Sequence, residues 1–231
     1  MTIFIPRLVK NYEIGMTMNN TIKIYLLIVS CAMIVINLSA YAADWSAKAP
    51  LALSKQVYDN KSMAFIPHTG VGKFDNYLAM TINYEAIKPL FNQLETRVGR
   101  ELKHRGEAHI TVVTPVEYHQ ILKPYLSIQT INELAKGIQN HSFEVVCLGA
   151  FEKSVNNKKE QTYYVVVKSD DLMSVRNRIA QTFIKAGGSK KDFKVSAFYP
   201  HITVGFSARD LHLSDGAVKD DSSCAYPLTV E

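Results

Sequence analysis

An α+β fold built from two related halves is predicted by three features of the sequence. The tetrapeptide His-Ile-Thr-Val occurs at residues 109–112 and again at 201–204. Both copies lie in β-branched, aromatic runs that read as strands. Each is preceded by a strand and an amphipathic helix, so one unit of strand, helix and motif strand is written twice. Given one copy, a chain of this composition supplies a second by chance on the order of a few times per thousand chains. The symmetry predicts two lobes related by a rough two-fold, their motif strands meeting across a cleft.

The chain has 231 residues, 47% hydrophobic and 20% charged, ordinary values for a globular protein. Residues 1–42 read as a secretory signal. Ile24 to Leu38 is apolar and uncharged, Lys23 stands before it, and Ser39-Ala40-Tyr41-Ala42 offers a small-x-small exit. Met16 or Met18 would be a more economical start than Met1. The apolar run is shorter than the roughly twenty residues that a membrane span needs, which favours cleavage near Ala43 over an anchor. A secreted or periplasmic protein is expected, with no stable membrane association once the signal is removed. Without the first 42 residues, 23 basic residues face 20 acidic ones, a net charge of +3. That excess suits a phosphate-bearing ligand and falls short of the basic stripe of a duplex-nucleic-acid binder. Cys147 and Cys224 remain in the mature chain, and the sequence leaves open whether they pair or stay free.

Residues 43–75 read as an extended lead, punctuated by Pro50, Pro67 and Thr69-Gly70-Val71-Gly72. The main domain is expected over 76–206. Asn76 to Asn83 alternates as a strand, and Tyr84 to Arg100 carries apolar residues at helical spacing, with Pro89 in or near the first turn. The first motif strand spans Glu107 to Thr114, and Pro115 ends it. Helical patterns follow at Val116 to Leu122 and Ile128 to Ile138. Ser142 to Phe151 and Gln161 to Lys168 read as strands, joined by a charged hairpin loop, KSVNNKKE. Asp171 to Ala186 is a helix with an acidic first turn, stopped by Gly187-Gly188. The second motif strand lies within Ala197 to Phe206. Residues 207–231 read as a polar tail folded over one edge.

Successive residues of a strand face opposite ways, so His109 and Thr111 share one face, as do His201 and Thr203. Each segment thus presents an imidazole beside a hydroxyl over an apolar backing. Two such H-x-T-x motifs, each on a strand that follows a helix, resemble the two-histidine (2H) phosphoesterase superfamily, of the 2′-5′ RNA ligase and cyclic phosphodiesterase kind. The resemblance covers roughly Asn76 to Phe206. The exported character and the tail residues Asp210-Leu211-His212 and Lys219 to Cys224 look most like the Swiss Army Knife, RNA-repair-like group within it. It implies a bilobal duplicated fold, two antiparallel sheets flanked by helices with a central cleft. It also implies a monomer acting on a 2′,3′-cyclic phosphate or a related nucleotide or RNA-end phosphodiester.

The residue types fit that chemistry. Cleaving a phosphodiester near neutral pH takes a base for the incoming hydroxyl and an acid for the departing oxygen, and two imidazoles can hold opposite protonation states. His109 and His201 are the candidate catalytic pair. Thr111 and Thr203 can donate to charge building on the phosphate oxygens. Tyr199, two residues before His201, is a candidate to stack on a base or ribose. Tyr77 and Phe206 are equally readable as stacking or core aromatics, and His68 and His212 as surface histidines. No H-E-x-x-H, C-x-x-C or P-loop pattern is present, so neither a metal nor another cofactor is expected. The alternative is a non-catalytic secreted module that binds phosphate-bearing ligands on the same fold.

Overall fold

In the computed structural model, residues 45 and 47–231 are described, and the predicted signal over 1–42 lies outside them. The first strand, β1 (Leu51–Leu53), pairs in parallel with the last, β8 (Leu228–Val230). A 3₁₀ segment, Lys55–Ser62, follows it. The lead is therefore more than extended chain: Leu51, Leu53 and Val57 are buried in the core, and Asn60 donates to the carbonyls of Gln139 and His141.

The duplicated unit is present. β2 (Leu78–Ile82) enters helix α1 (Tyr84–Val98) through Asn83, whose side chain accepts from the Glu85 N–H. Ala86, Ile87, Leu90, Phe91 and Leu94 form its buried stripe. Pro89 sits in the second turn of α1 rather than the first, where its ring removes a single intrahelical bond. β3 (Ala108–Val113) then returns antiparallel to β2, placing His109 opposite Thr81 and Thr111 opposite Ala79. In the second half, β5 (Lys158–Lys168), α4 (Asp170–Lys185) and β6 (His201–Phe206) repeat the path, with His201 opposite Val166 and Thr203 opposite Tyr164. β6 begins later than the sequence suggested, just past Pro200, which has no N–H to give a ladder.

Between the halves, α2 (Pro115–Glu117) is closed by a capping box: Thr114 accepts from the Glu117 N–H, and the Glu117 carboxylate accepts from the Thr114 N–H. It runs on into a wide turn, Tyr118–Leu122. α3 (Ile128–Leu134) is shorter than its apolar pattern, because Gly137 takes a left-handed φ of 83° and redirects the chain. β4 (Glu144–Val155) and β5 extend well into the predicted loop. Only Asn156 and Asn157 turn, both at positive φ, as a two-residue hairpin requires.

The α+β fold stands as predicted, but its sheets are arranged differently. The two halves fuse into one six-stranded antiparallel sheet, ordered β2-β3-β6-β5-β4-β7, and the second sheet is the small parallel pair β1-β8. β3 and β6 each lack a further strand on one side, so they pair with each other rather than stay in separate sheets. Their seam is thin, with the single register pair Ile110↔Ile202. The helices cross it: α1 packs on β6 and α4 on β3. Arg176 of α4, 1% exposed, reinforces the crossing. Its guanidinium donates to Glu117, to the Val112 carbonyl at the end of β3, and to the carbonyls of Lys194 and Val195 ahead of β6.

The main core lies on the helix side of the sheet, under Ile110, Val112, Ile202, Val204, Val165 and Val167. The opposite face carries a second, small cluster of Cys147, Tyr164 and Val166. There Tyr164 lies so close over Gly149 that any side chain would collide with its ring. β7 (Cys224–Tyr226) closes the β4 edge, and Cys224 forms a disulfide with Cys147.

Candidate active site

The face of the sheet opposite the helices carries His109 and Thr111 from β3 and His201 and Thr203 from β6. Counting outward from Ile110↔Ile202 sets His109 across from Thr203, and Thr111 across from His201. The two half-sites therefore join on one surface, with an apolar residue of each strand buried behind them. A bulge at Val204, where Thr203 pairs with Tyr164 but Gly205 with Tyr163, turns Phe206 onto this same face.

The two histidines have different neighbours. On the first side His109 is 16% exposed, and its Nδ1 lies 3.5 Å from a Glu107 oxygen, ion-pair range without a well-formed hydrogen bond. That contact holds the Glu107 carboxyl below its ordinary value, against burial. His68 stacks on Tyr77, ring centres 3.9 Å apart, and both stand about 6 Å from the His109 ring. His68, readable from sequence as a surface histidine, and Tyr77, readable as a stacking or a core aromatic, stand together beside the His109 ring. Burial, then the nearby His109, lowers the His68 pKa.

On the second side His201 Nδ1 lies 2.7 Å from the Tyr199 carbonyl oxygen, and Nε2 lies 3.2 Å from Lys219 Nζ. The Tyr164 ring meets the imidazole edge-on at 5.6 Å, and the ammonium sits 5.0 Å over that ring. Lys219 also donates to Asp210 at 3.0 Å. The other donors to Asp210 are Thr162, Thr203 and Arg105. Burial, then the charge of Lys219, pushes His201 down to about 3. Burial would raise the Asp210 carboxyl, but Lys219 and the Thr162 hydroxyl outweigh it and hold it well below the usual carboxylate range. Lys219 itself is lowered by burial, with Asp210 opposing. Alongside runs an open groove of about 580 Å³, lined by Arg105, Glu107, Phe206, Arg209, Asp210 and His212. Arg209 is held there by two bonds to Asp215.

With the paired H-x-T-x strands on one sheet face, comparison with known families is decisive. Residues 76–212 match the family described as Swiss Army Knife, 2H phosphoesterase domain. The chain belongs to that family. Neither the curated proteins nor the solved structures offer a match to it. A 2H phosphoesterase domain implies chemistry on phosphoesters, a phosphodiesterase-like hydrolase in general terms. The domain match stops at His212, so Lys219 and the disulfide partner Cys224 come from the segment beyond it.

Four of the five sequence candidates of this 2H domain, His109, Thr111, His201 and Thr203, gather on one surface. Tyr199 lies two residues ahead of β6, which begins at His201, and its carbonyl contacts the His201 ring. Sequence reading gave no role to Arg105, Glu107, Thr162, Asp210 or Lys219. Asp210 and Lys219 stand in a polar tail whose composition looks like solvated loop. No periodicity marks a lysine that is 3% exposed, and only the fold reveals it.

Proposed function

We propose that this protein is an exported phosphodiesterase that acts on 2′,3′-cyclic phosphates or related nucleotide and RNA-end phosphodiesters. His109 and His201 serve as acid and base, Thr111 and Thr203 donate to the phosphate oxygens, and no metal takes part. The observation that carries this reading is the antiparallel meeting of two identical His-x-Thr segments on one sheet face, which supports two proton-transfer groups acting on a single phosphate. The groove with Arg105, Arg209 and Phe206 suits a short anionic chain with an aromatic base. Export is supported by the apolar N-terminal run and by the Cys147–Cys224 disulfide, a bond that persists in oxidising compartments.

The test incubates the purified mature protein, with chelator present, with nucleoside 2′,3′-cyclic phosphates and short RNAs that end in them. Ring-opened monoesters are the expected product. Saturable binding with no product at any pH would replace the enzyme with a phosphate-binding module.

A further inference from the structure

The half-sites hold the same residue types, yet among the described residues only His201 has its Nε2 engaged. The Tyr199 carbonyl oxygen can only accept, so His201 carries its hydrogen on Nδ1. Its Nε2 then presents a lone pair, and the Lys219 ammonium donates to it across 3.2 Å. Lys219 is fixed for this task. Its side chain is 3% exposed, it is paired to an Asp210 that is 4% exposed, and Thr162, Thr203 and Arg105 hold that carboxylate in turn. His109 has different surroundings, with the Glu107 carboxylate, just ahead of β3, 3.5 Å from its Nδ1.

We propose that Lys219 divides the labour between the two histidines: its hydrogen bond to Nε2 fixes His201 as the neutral base and leaves His109, beside Glu107, as the acid. This rests on the phosphodiesterase reading. The charged and titratable groups facing His201 are Lys219 and Asp210 from the segment after β6, Tyr164 from β5 and His109 from β3, with Arg105 behind Asp210. In the free protein the ammonium caps the base. When a phosphodiester enters, a non-bridging oxygen takes that hydrogen bond and the Nε2 lone pair is released. The added negative charge raises the proton affinity of the imidazole at the moment it is needed. Water attacks phosphorus while Nε2 takes one of its protons. The bond from phosphorus to the leaving oxygen breaks, its electron pair stays on that oxygen, and the proton of His109 neutralises it. His201 ends protonated and His109 neutral, and exchange with solvent restores both.

The test follows the histidine ring nitrogens of ¹⁵N-labelled wild-type protein by NMR between pH 8 and pH 4, with and without inorganic phosphate. His201 is expected as the neutral Nδ1–H tautomer throughout in the free protein, and phosphate is expected to move its titration upward. The paired substitution Lys219→Met with Asp210→Asn removes both buried charges together, so neither is stranded. It is expected to move the His201 midpoint and the acid limb of kcat/KM upward, with burial still holding both below an ordinary imidazole value. A wild-type His201 that titrates near an ordinary imidazole value, or that carries its hydrogen on Nε2, overturns the role of Lys219 even if turnover is found. A neutral His201 in a protein with no turnover on any phosphodiester overturns the enzymatic reading, and the division of labour with it.

Discussion

Ile110 of β3 stands opposite Ile202 of β6, and this pair sets each histidine across from the other half's threonine. A phosphate lying over the seam would meet His109 and Thr203 along one edge and Thr111 and His201 along the other. Substituting either histidine by alanine is therefore expected to cost about 10²- to 10⁴-fold in kcat on a 2′,3′-cyclic phosphate. The double variant should be scarcely worse than either single one, because groups that act on one phosphate as a unit are non-additive. Full activity in a folded His201→Ala protein would show the repeat to be architectural.

The two threonines should not behave alike. Thr203 donates to the buried Asp210 at 3.1 Å, whereas no protein partner of the Thr111 hydroxyl is found among the described residues. Thr111→Ala is expected to lower kcat roughly ten- to a thousandfold with the urea midpoint unchanged. Thr203→Ala should lower kcat and also cost stability, about 1 kcal/mol for the lost donor to a buried carboxylate. Equal unfolding midpoints for the two variants would contradict this asymmetry.

How much of this was legible beforehand depended on what repeats. The His-x-Thr pair, the unit of strand, helix and strand, and the apolar stripe of α1 obey local periodicities that survive into the fold. The fusion of two half-sheets was not legible, because strand partnership at Ile110↔Ile202 is a long-range choice with no local signature. The extent of the β4-β5 hairpin was missed because charge suggested loop, although Asn156-Asn157 is a two-residue turn signal. Lys219 and Asp210 escaped for a different reason. Their burial is bought by pairing with each other, and pairing leaves no trace in hydropathy.

Acid is expected to destabilise the protein through His201. The unfolded chain binds that proton near pH 6.5, while the folded imidazole resists it until about 3. Its contribution is thus complete above pH 6.5 and is lost as pH falls through that window, with a slope of up to about 1.4 kcal/mol per pH unit for the one proton. Urea midpoints measured from pH 7 to pH 4 should fall, and His201→Gln should flatten the decline. An unchanged slope in that variant would assign the loss to other groups.

Removal of the Cys147–Cys224 disulfide, which spans 77 residues, is expected to cost about 2–5 kcal/mol through the freed unfolded chain. The same bond anchors the segment that carries Lys219. The Cys147→Ala and Cys224→Ala double variant should therefore lose activity at temperatures where circular dichroism still reports a folded protein. Activity that tracks the folded fraction alone would show that the anchor serves stability only.

If the two imidazoles and two hydroxyls supply proton transfer and charge stabilisation as proposed, turnover is expected to be unaffected by prolonged dialysis against EDTA. Loss of rate on dialysis, restored by a divalent cation, would require a different mechanism.

Among the described residues β1, the first strand, finds its one partner in β8, the last. A polypeptide made from its N-terminus must carry that strand unmatched until residues 228–230 have emerged, and Lys219 arrives almost as late. Assembly behind a ribosome cannot complete either feature before those residues have emerged. The topology thus makes the β1-β8 pair and the buried Lys219–Asp210 pair late events, and a product truncated before residue 219 would have neither.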